Sequence, residues 1–293
     1  MHAGTLDAVA EVQHCYRHPD RETGLSCSEC GRPICVDCMT VAPVGIRCPD
    51  HAGRAARATP RPVRAAQRTA ARRGFVVPRE GFVTRLLVGL NILVYLITVA
   101  QGAGINDPGG SLFARWALFG PAVEHGDWWR LITAAFLHAG LLHIAFNMWA
   151  LLWLGVVVES ALGWWRYLLL YLASGLAGSA GALVASPNAV TVGASGAIFG
   201  LLGAGLVLEY RATGRLGGSF LTLIVINLVI SVAVPGISIG GHVGGLIGGI
   251  AATAIIVLRG RIREAIDLPT VAGLAAVGAL SIAIAYWKVR GLA

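Results

Sequence analysis

The stretch Gly193-Ala194-Ser195-Gly196-Ala197-Ile198-Phe199-Gly200 opens an apolar run that continues to Tyr210. An uncharged loop, Ser186 to Val192, precedes it. Ser195 lies between two small residues at the N-terminus of an apolar helix, which is an unusual position for a structural serine. Small residues also let membrane helices approach closely. These eight residues alone are therefore compatible with helix packing as well as with a reactive serine. Other parts of the sequence are needed to distinguish the two interpretations.

The composition sets this chain apart from soluble globular proteins. Apolar residues make up 56% of its 293 residues and charged residues only 13%. The net charge of +8 is unevenly distributed, because residues 1–85 hold most of the arginines and every cysteine. A basic segment beside a membrane domain is what an anionic cytoplasmic leaflet attracts. We therefore predict an integral membrane protein in contact with the lipid bilayer, with no nucleic-acid partner.

The sequence predicts three parts: a zinc-binding module over residues 1–52, a basic flexible linker over 53–81 and a membrane domain over 82–293. The N-terminus lacks a basic stretch followed by an apolar core, so we expect no cleaved signal peptide. The linker is rich in Arg, Ala and Pro, and this composition cannot bury enough apolar surface to order itself. RNA binding is disfavoured, because aromatic residues are not interleaved with the arginines to stack bases.

The N-terminal module contains four pairs of metal-ligand residues, each pair separated by two residues. The pairs are Cys15 with His18, Cys27 with Cys30, Cys35 with Cys38, and Cys48 with His51. This spacing lets both side chains of a pair reach one tetrahedral zinc ion. Three disulfides are the alternative, but histidines in both outer pairs favour two Cys3His sites. Both sites would be structural, because protein ligands fill every position.

Seven apolar runs are long enough, or nearly so, to cross a membrane core of ~30 Å. They predict an all-α bundle of about seven transmembrane helices. The runs are Phe82–Val99, Ala139–Val158, Trp164–Ala185, Ser195–Tyr210, Ser219–Val234, Gly241–Leu258 and Leu268–Trp287. Runs four and five are short and flanked by glycine, so their ends are expected to lie inside the membrane.

The distribution of Lys and Arg predicts the orientation of the bundle. The linker and Arg85 favour a cytoplasmic N-terminus, and every second loop after it carries further arginines. These are Arg166, then Arg211 and Arg215, then Arg259, Arg261 and Arg263. The opposite loops carry Arg115 and Arg130 and little else, although Lys288 and Arg290 in the C-terminal tail do not fit the bias.

Polar residues from three separate runs are expected at similar depth, near the outer face. With a cytoplasmic N-terminus, His143 and Asn147 lie near the outer end of run two and share one helix face. Ser195 and His242 each lie in the first turn of a run that starts outside. Ionisable residues within membrane spans are costly and are usually functional. Their convergence therefore favours a functional site over isolated packing residues.

Glycines in run six predict close contact with run four. Gly241, Gly245 and Gly249 form one ridge of small residues, Gly244 and Gly248 form another, and run four offers Gly196 and Gly200. Such ridges allow the backbones of two helices to approach closely. His242 would then reach the Ser195 hydroxyl. The ridges alone are common in membrane proteins and do not indicate an enzyme.

Taken together, these motifs resemble those of the rhomboid family of intramembrane serine proteases, over residues 82–293. The resemblance rests on Trp129-Arg130, on His138 with His143-x3-Asn147, on GASGAIFG around Ser195 and on GGHVGGLIGG around His242. The whole chain resembles a bacterial rhomboid with an added zinc-binding head.

The head resembles the cross-braced B-box-type zinc finger. That likeness implies one ion held by Cys15, His18, Cys35 and Cys38, and a second held by Cys27, Cys30, Cys48 and His51.

The rhomboid resemblance implies a role for each site residue. Ser195 is the nucleophile and His242 the general base and acid of a Ser–His dyad. The oxyanion is stabilised by the His143 ring, the Asn147 amide and the Ser195 backbone N–H. Structural support is implied for the remaining motif residues, Gly193, Trp129, Arg130 and His138.

The resemblance further implies transmembrane or membrane-anchored protein substrates, cleaved near the outer face of a bacterial plasma membrane. Catalysis would need no cofactor, and the two zinc ions would be structural. For the zinc module itself, with its closed metal sites, we expect a role in regulation or in binding a cytoplasmic protein partner. A catalytically inactive rhomboid-like protein that binds membrane clients is the alternative, but such a protein should lack the serine or the histidine. A transporter or channel with a zinc-binding head is a second alternative. It predicts polar residues that reach both faces of the membrane, whereas the polar residues here are expected near one face.

Overall fold

The computed structural model describes residues 13–41, 45–52, 81–102, 104–258 and 266–292. The predicted linker, apart from residue 81, lies outside these residues, as do Arg259, Arg261 and Arg263. The chain divides into two compact units, Met1–Val77 and Pro78–Ala293, and each is described by itself.

The first unit is built from short strands and turns. Strands β1 (His14–Cys15) and β2 (His18–Glu22) pair antiparallel, as do β3 (Thr40–Val41) and β4 (Ile46–Arg47). In the described part of this unit, the buried apolar side chains are one isoleucine and five cysteines: Ile34, Cys15, Cys27, Cys35, Cys38 and Cys48. So small an apolar core cannot by itself stabilise a fold, which makes metal binding the expected source of stability.

The second unit is helical. Its described residues form ten α-helices: α1 (Phe82–Gln101), α2 (Gly110–Trp116), α3 (Gly120–Glu124), α4 (Arg130–Thr133), α5 (Leu141–Leu162), α6 (Trp164–Ala185), α7 (Ser195–Thr213), α8 (Ser219–Ala233), α9 (Ile239–Leu258) and α10 (Leu268–Val289). A 3₁₀ turn, Ala134–Phe136, follows α4. The all-α class is thereby confirmed, and helices of 15 to 22 residues occur at all seven predicted positions.

Five of these helices are long and apolar enough to cross a membrane: α1, α5, α6, α9 and α10. Helix α8 has only 15 residues. Helix α7 has 19 residues, but Glu209 and Arg211 in its last turns lower its hydropathy. Large apolar side chains are exposed along the bundle, as contact with lipid requires; examples are Leu142, Phe146, Trp149, Val229 and Val232.

Two helix starts differ from the sequence prediction. Helix α5 begins at Leu141 rather than Ala139, because the backbone is extended at Gly140 and Leu137. Helix α9 begins at Ile239, two residues before the predicted start. There the Ser238 hydroxyl accepts a hydrogen bond from the Gly241 N–H at 3.2 Å, an arrangement typical of a helix N-terminus. With either start, His242 lies in the first turn of α9.

The two glycine ridges of α9 contact two different helices. A methyl group at Gly245 would lie 1.9 Å from the Gly196 carbonyl oxygen, and one at Gly249 would lie 2.1 Å from that of Gly200. These contacts join α9 to α7, as predicted from the sequence. The other ridge contacts α6, since a methyl group at Gly244 would lie 2.3 Å from the Ala177 carbonyl oxygen. Helix α9 is therefore in backbone contact with both neighbours.

Candidate active site and metal centres

Ser195 is the first residue of α7, and the segment before it is held by backbone hydrogen bonds. The Gly193 N–H donates to the Ala134 carbonyl at 2.9 Å, and Leu118 and Thr191 exchange two hydrogen bonds as an isolated bridge. The first N–H groups of a helix have no partner within it, and the helix dipole places partial positive charge there. The Ser195 N–H therefore lies where a developing anion would be stabilised.

His143 faces the same small space as Ser195. A side chain at Gly193 would place its Cβ 2.7 Å from His143 Nε2 and 3.8 Å from Ser195 Oγ. The Ala139 N–H donates to His143 Nδ1 at 3.3 Å. Because Nδ1 accepts this hydrogen bond, the proton of the neutral ring is on Nε2. His143 therefore presents an N–H donor toward the space beside Ser195.

Asn147 lies one turn after His143 on α5 and is buried, with 7% of its surface exposed. Its Nδ2 donates to the His143 carbonyl at 2.8 Å. A side-chain amide carries two N–H groups, and this hydrogen bond uses one of them. The other remains to serve a ligand on the same helix face as the His143 ring.

The His242 ring is buried and contacts two other helices. It stacks on Phe199 of α7, with ring centroids 4.0 Å apart and planes at 17°. Its Nδ1 lies 2.6 Å from Ser231 Oγ of α8. The backbones beside Ser195 and His242 also lie close together, because a methyl group at Gly196 would lie 3.3 Å from the Gly241 carbonyl oxygen.

No direct hydrogen bond joins Ser195 Oγ to the His242 ring among the hydrogen bonds of the described residues. Such bonds are often long without substrate and tighten in the substrate complex. Helix packing thus brings together the segments that carry Ser195 and His242, while the hydrogen bond between the two side chains stays a prediction.

The remaining motif residues support the segment between α1 and α5. Arg130 binds Asp127 at 2.8 Å and donates to the Ala114 and Ala117 carbonyls, each at 2.7 Å. The Trp129 indole donates to the Arg115 carbonyl at 3.1 Å. These contacts fix the loop around α2 and α4. His138 is fully buried, and its ring packs edge-on against His143 with centroids 5.0 Å apart.

Ser231 is a polar partner of the His242 ring that the sequence does not single out. It lies eleven residues before His242, within an apolar run. A serine at such a position gives no sequence signal that distinguishes it from an ordinary helix residue. Only the packing of α8 against α9 identifies it as a partner of the histidine.

The eight metal-ligand residues form two groups. In each group the ligand atoms all lie within 4.8 Å of one another; the first is Cys15, His18, Cys35 and Cys38, and the second is Cys27, Cys30, Cys48 and His51. The pairs therefore alternate along the chain between the two sites, as in a cross-brace. All six cysteines are free thiols, which leaves them available as ligands.

The donor set fits tetrahedral zinc. Bond lengths of about 2.3 Å to sulfur and 2.0–2.1 Å to nitrogen give edges of roughly 3.6 Å between S and N, and roughly 3.8 Å between two S atoms. His18 Nδ1 lies 3.4 Å from Cys35 Sγ and 3.3 Å from Cys38 Sγ. Cys30 Sγ and Cys48 Sγ are 3.8 Å apart. Three cysteines and one histidine can thus hold one metal ion at each site.

Comparison with known proteins finds similarity to rhomboid proteins within the second unit. Residues 125–259 match the family model of the rhomboid domain. The chain is 40% identical over 179 residues to rhomboid protease GluP of Bacillus subtilis, a match that covers 59% of this chain and 34% of GluP. It is also 42% identical over 96 residues to rhomboid-type serine protease 2 of Emericella nidulans, covering 32% of this chain and 18% of that protein.

The chain spans about a third of GluP and about a fifth of the fungal protease. The matched segment contains the residues assigned to the site: Trp129, Arg130, His138, His143, Asn147, Gly193, Ser195 and His242. Residues 125–259, slightly less than half of the chain, thus match the rhomboid domain.

Proposed function

We propose that this protein is an intramembrane serine endopeptidase with Ser195 as nucleophile and His242 as general base. The observation that carries the proposal is the small space beside Gly193, which both Ser195 Oγ and the Nε2–H of His143 face. A nucleophile beside an N–H donor is the arrangement that acyl transfer requires. Similarity to proteins named as rhomboid proteases supports the same reaction class.

The chemistry follows from the roles of these groups. His242 takes the Ser195 hydroxyl proton while Oγ attacks the scissile carbonyl carbon, and the carbonyl oxygen becomes an oxyanion. His143 Nε2–H, Asn147 Nδ2–H and the Ser195 backbone N–H donate hydrogen bonds to it. When the intermediate collapses, His242 gives its proton to the leaving amine. Water then hydrolyses the acyl-enzyme by the same steps.

The substrates proposed here are transmembrane or membrane-anchored proteins in a bacterial plasma membrane. The Lys and Arg bias supports a cytoplasmic N-terminus, which directs the N-terminal ends of α5, α7 and α9 to the outer face. The scissile segment must leave its helical conformation, since helical peptide bonds are shielded by the backbone. Helix-breaking residues near the cut should therefore favour cleavage.

For the first unit we propose two structural zinc ions in a B-box-type cross-brace that binds a cytoplasmic protein. The alternating ligand pairs support the cross-brace, and the tetrahedral spacing supports zinc.

A fluorophosphonate probe tests the proposed dyad in detergent-solubilised protein. We expect covalent labelling of the parent, and none of Ser195→Ala or His242→Ala. Ser186→Ala, an exposed serine in the loop before α7, is the matched control and should label like the parent. Equal labelling of all four proteins would refute the dyad. A folded parent that neither labels nor cleaves a single-span reporter would favour an inactive client-binding protein.

A further inference from the structure

Ser231 is one of the few buried residues of α8. Of the 15 residues of α8, only Ile224 and Ser231 are buried, and Ser231 is 2% exposed. Its neighbours Val229 and Val232 are 62% and 72% exposed. The one inward polar group near the C-terminal end of α8 therefore meets the His242 ring. Its position cannot be explained by apolar packing alone.

The hydrogen bonds of Ser231 determine where the protons are. Ser231 Oγ lies 2.6 Å from the Asn227 carbonyl oxygen and 2.6 Å from His242 Nδ1. Two oxygens this close need a proton between them, and a carbonyl has none to give, so the Ser231 hydroxyl donates to Asn227. A hydroxyl carries a single proton, so toward the ring Ser231 can only accept. His242 Nδ1 must then be protonated.

This arrangement selects one tautomer of His242. A neutral imidazole carries one proton, and with that proton on Nδ1 the other nitrogen, Nε2, has a free lone pair. A lone pair on Nε2 is what a general base needs to accept the Ser195 proton. Phe199 stacks on the ring and fixes its plane, while Ser231 fixes its rotation within that plane.

We propose that Ser231 is a positioning residue, which orients His242 as the general base through the chain His242 Nδ1–H to Ser231 Oγ–H to the Asn227 carbonyl. It occupies the position of the carboxylate in a Ser–His–Asp triad, but it is neutral. When Nε2 takes the Ser195 proton the ring becomes a cation, and its Nδ1–H donates more strongly to Ser231. The Ser231 proton stays on its own oxygen, so one proton moves in each step.

This inference rests on the proposed function. Two readouts distinguish a failure of the inference from a failure of the proposed function. The first is steady-state kinetics on a single-span reporter. Ser231→Ala removes the acceptor, and loss of a hydrogen bond to a charged group should lower kcat by about 10-fold to 100-fold, with KM unchanged. Ser231→Thr keeps a hydroxyl and should recover most of the lost kcat. Ser281→Ala removes a hydroxyl with the same kind of hydrogen bond, to the Val277 carbonyl at 2.8 Å, and should leave kcat unchanged.

The second readout needs no activity. In protein labelled with ¹⁵N-histidine, the signals of His242 are those lost in His242→Ala. We expect a protonated Nδ1 and an unprotonated Nε2 in the parent and in Ser231→Thr, and a shift toward the other tautomer in Ser231→Ala. An unprotonated Nδ1 in the parent would overturn the proposal, as would an unchanged kcat in Ser231→Ala. A parent with protonated Nδ1 but no protease activity would refute the proposed function and leave the hydrogen-bonded chain intact.

Discussion

Gly193 is the residue at which the geometry of the proposed active site can be tested most directly. Its φ of +122° is a conformation that residues with a side chain rarely adopt, and its Cβ would lie 2.7 Å from His143 Nε2. We predict that Gly193→Ala strains the backbone by about 1–3 kcal/mol and displaces the His143 ring. Fluorophosphonate labelling of Ser195 should fall at least tenfold, while the variant stays folded.

Gly126→Ala is the control that distinguishes two effects of Gly193→Ala, backbone strain and displacement of the His143 ring. Gly126 also has a positive φ, +107°, but a Cβ there would meet no atom within 4 Å. This control should show a similar loss of thermal stability with unchanged labelling. If both variants label like the parent, Gly193 does not shape the site.

The sequence predicts the position of a residue along its helix well where the residue lies next to a helix start. Ser195 and His242 were placed in first turns because each follows a loop and opens an apolar run. Ser231 could not be predicted, because its role depends on which side of α8 faces α9. That packing is set by tertiary contacts, and a serine that binds its own helix backbone gives the same sequence signal.

The contact between α7 and α9 is the element on which the site depends. A methyl group at Gly245 would lie 1.9 Å from the Gly196 carbonyl oxygen, which neither backbone can avoid without moving. We predict that Gly245→Ala separates the two helices, destabilises the protein by about 1–3 kcal/mol and abolishes probe labelling. Thermal unfolding in detergent and labelling measure the two effects.

Gly89→Ala is the matched helical control. Gly89 lies within α1, and a Cβ there would meet no atom within 4 Å. Because alanine forms helices better than glycine, this variant should keep or gain stability, by up to about 1 kcal/mol. A Gly245→Ala protein as stable and as reactive as the control would show that close approach of α7 and α9 is not required.

Glu159 of α5 caps the start of α1 across the bundle. Its carboxylate accepts hydrogen bonds from the Val83 N–H at 3.0 Å, the Thr84 N–H at 2.9 Å and the Thr84 hydroxyl at 2.7 Å. Glu159→Ala leaves buried donors unpaired, so we predict a loss of about 1–3 kcal/mol in unfolding free energy. Ser160→Ala, at the next and exposed position, should change thermal stability little; an equal loss in both variants would exclude this cap.

Helix existence was predictable from apolar run length, whereas helix contacts were not. A helix occurs at each of the seven positions that the apolar runs predict. The early start of α9 depends on the Ser238 side chain, and the cap of α1 depends on a residue 76 positions away from Val83. The second ridge of α9 was visible as glycine spacing, but only the packing shows that its partner is α6.

At the scale of the whole molecule, composition alone distinguished a cysteine-rich region from an apolar one. The two compact units, Met1–Val77 and Pro78–Ala293, have cores of different kinds. The first buries mainly cysteines, and the second buries large apolar side chains such as Leu151, Tyr167 and Leu201. Each core has its own source of stability, so the two units should respond differently to loss of metal.

Chelation should unfold the first unit without inactivating the second. Metal binding supplies roughly 10–16 kcal/mol to small zinc modules, far more than a core built around Ile34 could replace. We predict that the full chain binds two zinc ions, that Cys48→Ser binds fewer, and that Ser28→Ala, at an exposed non-ligand position, still binds two. After chelation, the amide of Ile34 should exchange rapidly, while fluorophosphonate labelling of Ser195 stays within about twofold of the untreated protein. Loss of labelling that zinc restores would show instead that the metal centres control the protease.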